Sequence, residues 1–311
     1  MTMELTLVHP ESASVEQRDP GGVSTTAKSD QPTQPLVPTS PTVTDDRGYQ
    51  LTTTAEAAQL YNRGVHHILG LHTGALALLD QAVTTDPTFA LGHAAKALLG
   101  YEMCAPTVVP DELYLAEIYA EKATDRERSH VNAVTGHVRG RKNALVDHVR
   151  RYPQDALLLN SIIPTIQFAG AVEVPQEAWD IVEQAAPAYS NDDWWFLGTL
   201  SFIRQEQLRF DEALDLACRS LDLEPSGGHA AHARGHAHYE LGDHVNGLDF
   251  MSNWVVGPGA EAESLDHLAW HAAVHELSLG DVEAVRRRYA SQLNPARMLG
   301  CRSLIDGGQL L

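Results

Sequence analysis

The sequence predicts an all-α fold: antiparallel helix pairs stacked into a right-handed solenoid, preceded by a disordered N-terminal tail. Three observations predict it. Beyond residue 50, apolar residues recur at three- and four-residue steps and strand patterns are almost absent. The joints between these stretches are short and carry Gly, Pro or Asp, as antiparallel helix neighbours require. A helix-pair pattern also returns at a near-constant interval.

Residues 1–48 read as the tail. The stretch from Pro20 to Pro41 is rich in Pro, Ser, Thr and Gln and poor in apolar residues, so it buries too little surface to offset chain entropy. Residues 49–311 form the helical repeat domain. Thr52, Thr53 and Thr54 offer N-caps for its first helix. Helical periodicity then marks 52–69, 73–85, 88–103, 110–124, 126–139, 141–151 and 154–169, and continues over 175–186, 192–206, 210–222, 228–241, 244–255, 263–279 and 281–291.

The repeat is visible in particular residues. Phe210-Asp-Glu-Ala-Leu214 returns in degenerate form, one tetratricopeptide interval further on, as His244-Val-Asn-Gly-Leu248. Ala213 and Pro225 stand twelve apart, the spacing of the small residue and terminating proline in a tetratricopeptide helix pair. Ala75, Ala82 and Pro87, with Leu79, repeat that pattern near the start, and Gly242-Asp243 and Gly280-Asp281 open equivalent second helices. Small residues recur because a larger side chain would hold the crossing helices apart. One pair cannot bury its apolar face alone, so neighbours must stack, and the first helices then line a concave surface.

Composition narrows the function. Against 41 Asp and Glu stand 22 Lys and Arg, a net charge of −19, which disfavours nucleic acid and anionic membrane surfaces as partners. No apolar run is long enough to span a bilayer, and the N-terminus lacks a secretory pattern. Cys104, Cys218 and Cys301 are odd in number and far apart, so the expectation is a reduced, cytoplasmic protein. Residues 122–151 form a basic island of eight Lys and Arg against three acidic residues, a local charge of +5. An anionic ligand or acidic partner could use it; pairing with the acidic remainder is the plainer expectation. Trp194 and Trp195 read as core packing, and Gly227-Gly228 as a joint or a weak anion cradle.

The unusual feature is histidine. Of 16 His, eight fall between His229 and His275. His232, His236 and Glu240 are spaced by four, as are His267, His271 and His275, so each triplet runs along one helical face. The offset between the triplets is the same at every position, from His232 to His267, from His236 to His271 and from Glu240 to His275, and it matches one repeat to within a residue. The expectation is five imidazoles and one carboxylate facing a common groove from successive first helices. His229, His238 and His244 fall off that face.

These segments resemble the tetratricopeptide repeat protein 38 family. The resemblance rests on Arg126-Glu-Arg-Ser-His130, on Phe210-Asp-Glu-Ala-Leu214, on His232-x-x-x-His236-x-x-x-Glu240, and on His267-x-x-Trp270-His271 followed by Leu-Gly-Asp281. It covers most of the helical domain and implies the helical repeat fold and the His/Glu positions, without naming a reaction.

Neutral imidazoles on adjacent helices suit a divalent transition metal such as zinc, with His232, His236, His267 and His271 as candidate ligands. Catalysis would fall to His236, His271 and Glu240, and the ligand groove would be completed by His232, His267, His275 and Trp270. The H-E-x-x-H pattern is absent, which excludes a metalloprotease of that motif. Two functions follow: a site for a metal or small molecule, with or without catalysis, or a non-catalytic scaffold that holds a peptide in its groove.

Overall fold

The computed structural model describes residues 42–163, 175–294 and Asp306. These are all-helical, with two isolated bridge pairs and no strand among the described residues. Among the described residues fourteen α-helices follow one another: α1 (Ala55–Gly70), α2 (Ala75–Thr85), α3 (Ala90–Glu102), α4 (Val109–Ala120), α5 (Asp125–Val138), α6 (Ala144–Arg151), α7 (Ala156–Ile162), α8 (Pro175–Ala185), α9 (Trp194–Glu206), α10 (Phe210–Leu223), α11 (Gly228–Glu240), α12 (His244–Val256), α13 (Leu265–Ser278) and α14 (Val282–Arg288). Each expected helix is present, with ends shifted by at most four residues where both ends are described. The helix expected over 154–169 is described only to Ile162.

Local chemistry sets the boundaries. Thr54 caps α1 by accepting from the Ala57 amide, and Thr124 and Glu127 close a reciprocal capping box on α5. Asp193 and Asp281 cap α9 and α14 in the same way as Thr54. The Glu127 carboxylate has a second use: it accepts from the Thr52 amide at 2.7 Å and from the Thr52 hydroxyl at 2.6 Å. Residues 42–48, assigned above to the tail, make a turn that is tied to the helices. Asp45 pairs with Arg126 at 3.3 Å, and Arg47 pairs with Asp193. The remainder of the expected tail lies outside the described residues.

Packing runs mainly between sequence neighbours: α1 with α2, α3 with α4, α5 with α6, α9 with α10, and α12 with both α11 and α13. Alternate helices also touch, α9 with α11 and α11 with α13. Ala82, Ala116, Ala213 and Ala217 are fully buried at these crossings, as the small-residue pattern requires. The apolar side chains form two clusters. The larger extends from Leu51 through Leu158 and Leu159 to Ile203, and the second gathers α11, α12 and α13 around Met251 and Leu268.

Leu71, at the end of α1, belongs to the second cluster. There the chain returns on itself. The Thr73 amide donates to Glu261 O at 2.9 Å, the Glu263 amide donates to Leu71 O at 2.6 Å, and His72 Nε2 meets Ser226 O at 3.0 Å. The glycine pair before α11 serves this approach: a Cβ at Gly228 would lie 2.8 Å from Leu71 Cβ and 3.0 Å from Gly70 O.

Candidate functional site

α11 and α13 lie against each other and bring four of the predicted imidazoles together. His232 and His236 are one turn apart on α11, as are His267 and His271 on α13. Their Nε2 atoms converge: 3.1 Å from His236 to His232, 3.0 Å from His232 to His267, and 3.3 Å from His267 to His271. Ring centroids lie 4.4 Å apart for His236 and His271 and 4.8 Å apart for His232 and His271. His232, His267 and His271 are buried, while His236 keeps partial contact with solvent. Ligand atoms of the three buried rings all lie within 4.8 Å of one another.

Two more features define the cluster. His267 Nδ1 stands 2.9 Å from Asp306 Oδ2, both buried. An ionised carboxylate only accepts, so the ring proton sits on Nδ1 and the Nε2 lone pair faces the other imidazoles. Burial, and then the neighbouring imidazoles, hold His232 well below the usual histidine range and lower His236 to about 4. These two rings are therefore neutral near pH 7, each with a lone pair to offer.

Aromatic walls enclose the group. Phe202 from α9 lies over His232 at 6.2 Å, and Trp270 lies parallel to His267 at 5.8 Å and edge-on to His271 at 5.1 Å.

His275 and Glu240 do not join. A four-residue step on an α-helix advances about 400°, so each step drifts about 40° around the axis. By the third member of a triplet the side chain has turned away. His275 lies between α11 and α12 instead, with Nδ1 3.3 Å from His244 Nδ1 of α12 and its ring beside Tyr239 of α11. Burial lowers it to about 4. Glu240, at the last residue of α11, is exposed. His238 pairs with Asp243 at 3.1 Å, and His229 is buried.

A second buried group arises where sequence reasoning placed none. Asp155, just before α7, takes three partners on one oxygen: Arg126 Nη2 at 2.7 Å, His130 Nδ1 at 2.7 Å and His148 Nε2 at 2.9 Å. Burial alone would raise the Asp155 carboxyl. The Arg126 guanidinium, the His130 ring and the hydrogen bonds from both imidazoles outweigh it and hold Asp155 well below the usual carboxylate range. Arg126 also lies over the Tyr49 ring at 4.7 Å. Beside this group a cavity of about 320 Å³ is lined by Asp45, Tyr61, His66, Trp194 and the Arg126–Asp155 pair. The basic island of the sequence is thus divided: Arg126 is buried in this network, whereas Arg139 makes a surface pair with Glu117 at 2.9 Å. Only the Arg126-Glu-Arg-Ser-His130 segment had signalled the place in sequence.

No helix among the described residues is long and apolar enough to cross a membrane. The chain matches no known protein-family model.

Proposed function

We propose that this is a tetratricopeptide-type helical repeat protein, akin to the tetratricopeptide repeat protein 38 family, whose function centres on a divalent transition-metal site. His232, His267 and His271 are the core ligands and His236 the fourth, with zinc the ion best suited to an all-imidazole set. One observation carries the reading: the Nε2 atoms of neighbouring rings stand 3.0–3.3 Å apart. Imidazole nitrogens bound tetrahedrally at about 2.0–2.1 Å lie about 3.3–3.4 Å from each other. The Asp306 contact supports it, because a carboxylate on the far nitrogen is the usual orienting partner of a ligating histidine.

The difference in burial gives the site a direction. Three ligands are enclosed and His236 faces partly outward, so His236 marks the position where a small-molecule ligand or water would exchange. Held by His232, His267 and His271 with His236 displaced by the exchanging ligand, zinc would supply an ionised water near neutral pH and would polarise a bound carbonyl. Around it the chain contributes exclusion of water by Phe202 and Trp270 and a fixed His267 tautomer.

Metal analysis of protein prepared without a His tag tests the reading. About one zinc per chain is expected, and His267→Ala and His271→Ala should each remove it while far-ultraviolet circular dichroism stays helical. A folded wild-type chain that holds no metal after zinc loading and gains no thermal stability from it would overturn the proposal.

A further inference from the structure

The second buried group extends outward to a hydroxyl. Ser129, half-buried on α5, places Oγ 2.8 Å from His148 Nδ1, and His148 Nε2 stands 2.9 Å from Asp155 Oδ2. Proton positions follow from the carboxylate. Asp155 is ionised and accepts, so His148 carries its proton on Nε2 and leaves Nδ1 as a lone pair. The Ser129 O–H therefore donates to a ring whose other side is held by a buried anion. That order of hydroxyl, imidazole and carboxylate is the order found around an activated serine nucleophile, with the two ring nitrogens exchanged: the serine is on Nδ1 and the carboxylate on Nε2.

The hydroxyl is reachable. Ser129 and His148 line an open cleft between α5 and α6, together with Arg128, Arg141, Arg151 and Asn132. Two carboxylates, Asp125 and Asp147, also face it, so three guanidinium groups leave a net positive cleft on a chain of net charge −19. Arg128 pairs with Asp125, Arg141 donates to Asn132 O at 3.0 Å, and Arg151 lies beside Tyr152. Asn132 is one turn beyond Ser129 on the same face, where its amide can meet a developing oxyanion.

We propose that Ser129, His148 and Asp155 form a second, metal-independent site, in which Ser129 is the nucleophile toward a carboxylic ester that carries an anionic group. Ser129 Oγ bonds to the ester carbonyl carbon as its proton passes to His148 Nδ1. The bond from that carbon to the alkoxy oxygen breaks, and the imidazolium returns the proton to the departing alcohol. Water then attacks the acyl carbon, His148 takes its proton, and the carboxylic acid leaves as Ser129 is restored. Asp155 is a positioning residue, and the cleft arginines hold the anionic group.

The test uses the full chain and a fluorophosphonate probe, followed by peptide mass spectrometry. One adduct per chain is expected on Ser129, absent from Ser129→Ala protein of unchanged helicity and unaffected by prior chelation, which separates it from the metal site. The wild-type chain should hydrolyse mono-p-nitrophenyl glutarate with kcat/KM at least tenfold above p-nitrophenyl butyrate at low salt. That preference should shrink in high salt as the guanidinium field is screened. A folded wild-type chain with no adduct on Ser129, hydrolysis unchanged in Ser129→Ala, or preference for the neutral ester would overturn the proposal.

Discussion

At the scale of single residues, the histidines couple folding to pH. His229, His236 and His275 are each lowered to about 4, with burial the leading cause, and burial likewise holds His232 well below the usual histidine range. The unfolded chain binds protons at these rings near pH 6.5, whereas the folded chain resists them until about 4. Stability from these groups is therefore fully present above about pH 6.5 and is lost as pH falls toward 4. The buried His229 alone should contribute on the order of 1–3 kcal/mol across that window. Melting temperature measured from pH 7.5 to 4.5 should drop monotonically, and His229→Gln should flatten part of the fall. A melting temperature level across this range would contradict the neutral, buried assignment.

Asp306 is the residue on which the metal reading is most exposed to a precise check. Its carboxylate holds the His267 proton on Nδ1 at 2.9 Å. Asp306→Asn keeps the shape and a hydrogen-bonding group but removes the negative charge behind the ring. Zinc affinity should fall about 10–100-fold, the range expected when such a partner is lost, with little change in helicity. Titration against a competing chelator measures it. Affinity equal to wild type would show that Asp306 only packs there.

Between elements, α12 seats its neighbours through one missing side chain. A Cβ at Gly247 would lie 2.3 Å from His275 Cε1 and 2.9 Å from His238 Cβ. His275 is almost fully buried, so its ring has little room to retreat, and the His238 Cβ is fixed to α11. Alanine gains up to about 1 kcal/mol in helix propensity, but overpacking of this kind costs about 1–3 kcal/mol. Gly247→Ala should therefore lower stability, by roughly 1 kcal/mol net, and shift the His238 and His275 ring resonances in nuclear magnetic resonance spectra. A stabilised variant would mean that the helices separate without cost.

The same scale explains what could be read in sequence. Helix positions were legible because Ala and Leu recur at the α period and the joints carry Gly, Pro and Asp. The convergence of His232 and His236 with His267 and His271 was legible because equal offsets in a repeat place residues side by side. His275 and Glu240 were misplaced because a rule of fours neglects the drift of side chains around the helix axis, which accumulates over two turns. Asp306 and Asp155 were not legible at all. Asp306 lies well beyond α13 in the chain, with no periodic relation to its imidazole. Arg126 and His130 are one turn apart on α5, but they meet His148 on α6 and Asp155 before α7 only across two joints of the chain. Only packing brings such groups together.

Across the whole molecule, the contact between the end of α1 and the segment before α13 changes what kind of chain this is. In a repeat array where each unit touches only its neighbours, stability is close to a sum of local terms, and segments can unfold separately. Here Leu71 is 1% exposed and belongs to the apolar cluster of α11–α13, although most of the helical domain separates them in sequence. Backbone hydrogen bonds from Thr73 to Glu261 and from Glu263 to Leu71 reinforce the join. Closing so long a loop costs entropy once, and every helix pair between then shares the gain. The expectation is a single cooperative melting transition. Leu71→Ala should remove about 2–4 kcal/mol at the join and let the transition split, with α11–α14 melting first. Calorimetry follows the split, and hydrogen exchange assigns it: amides of 261–263 should lose protection in the variant before those of α3. A variant that still melts in one step, with both regions exchanging together, would show that neighbour packing alone carries the cooperativity.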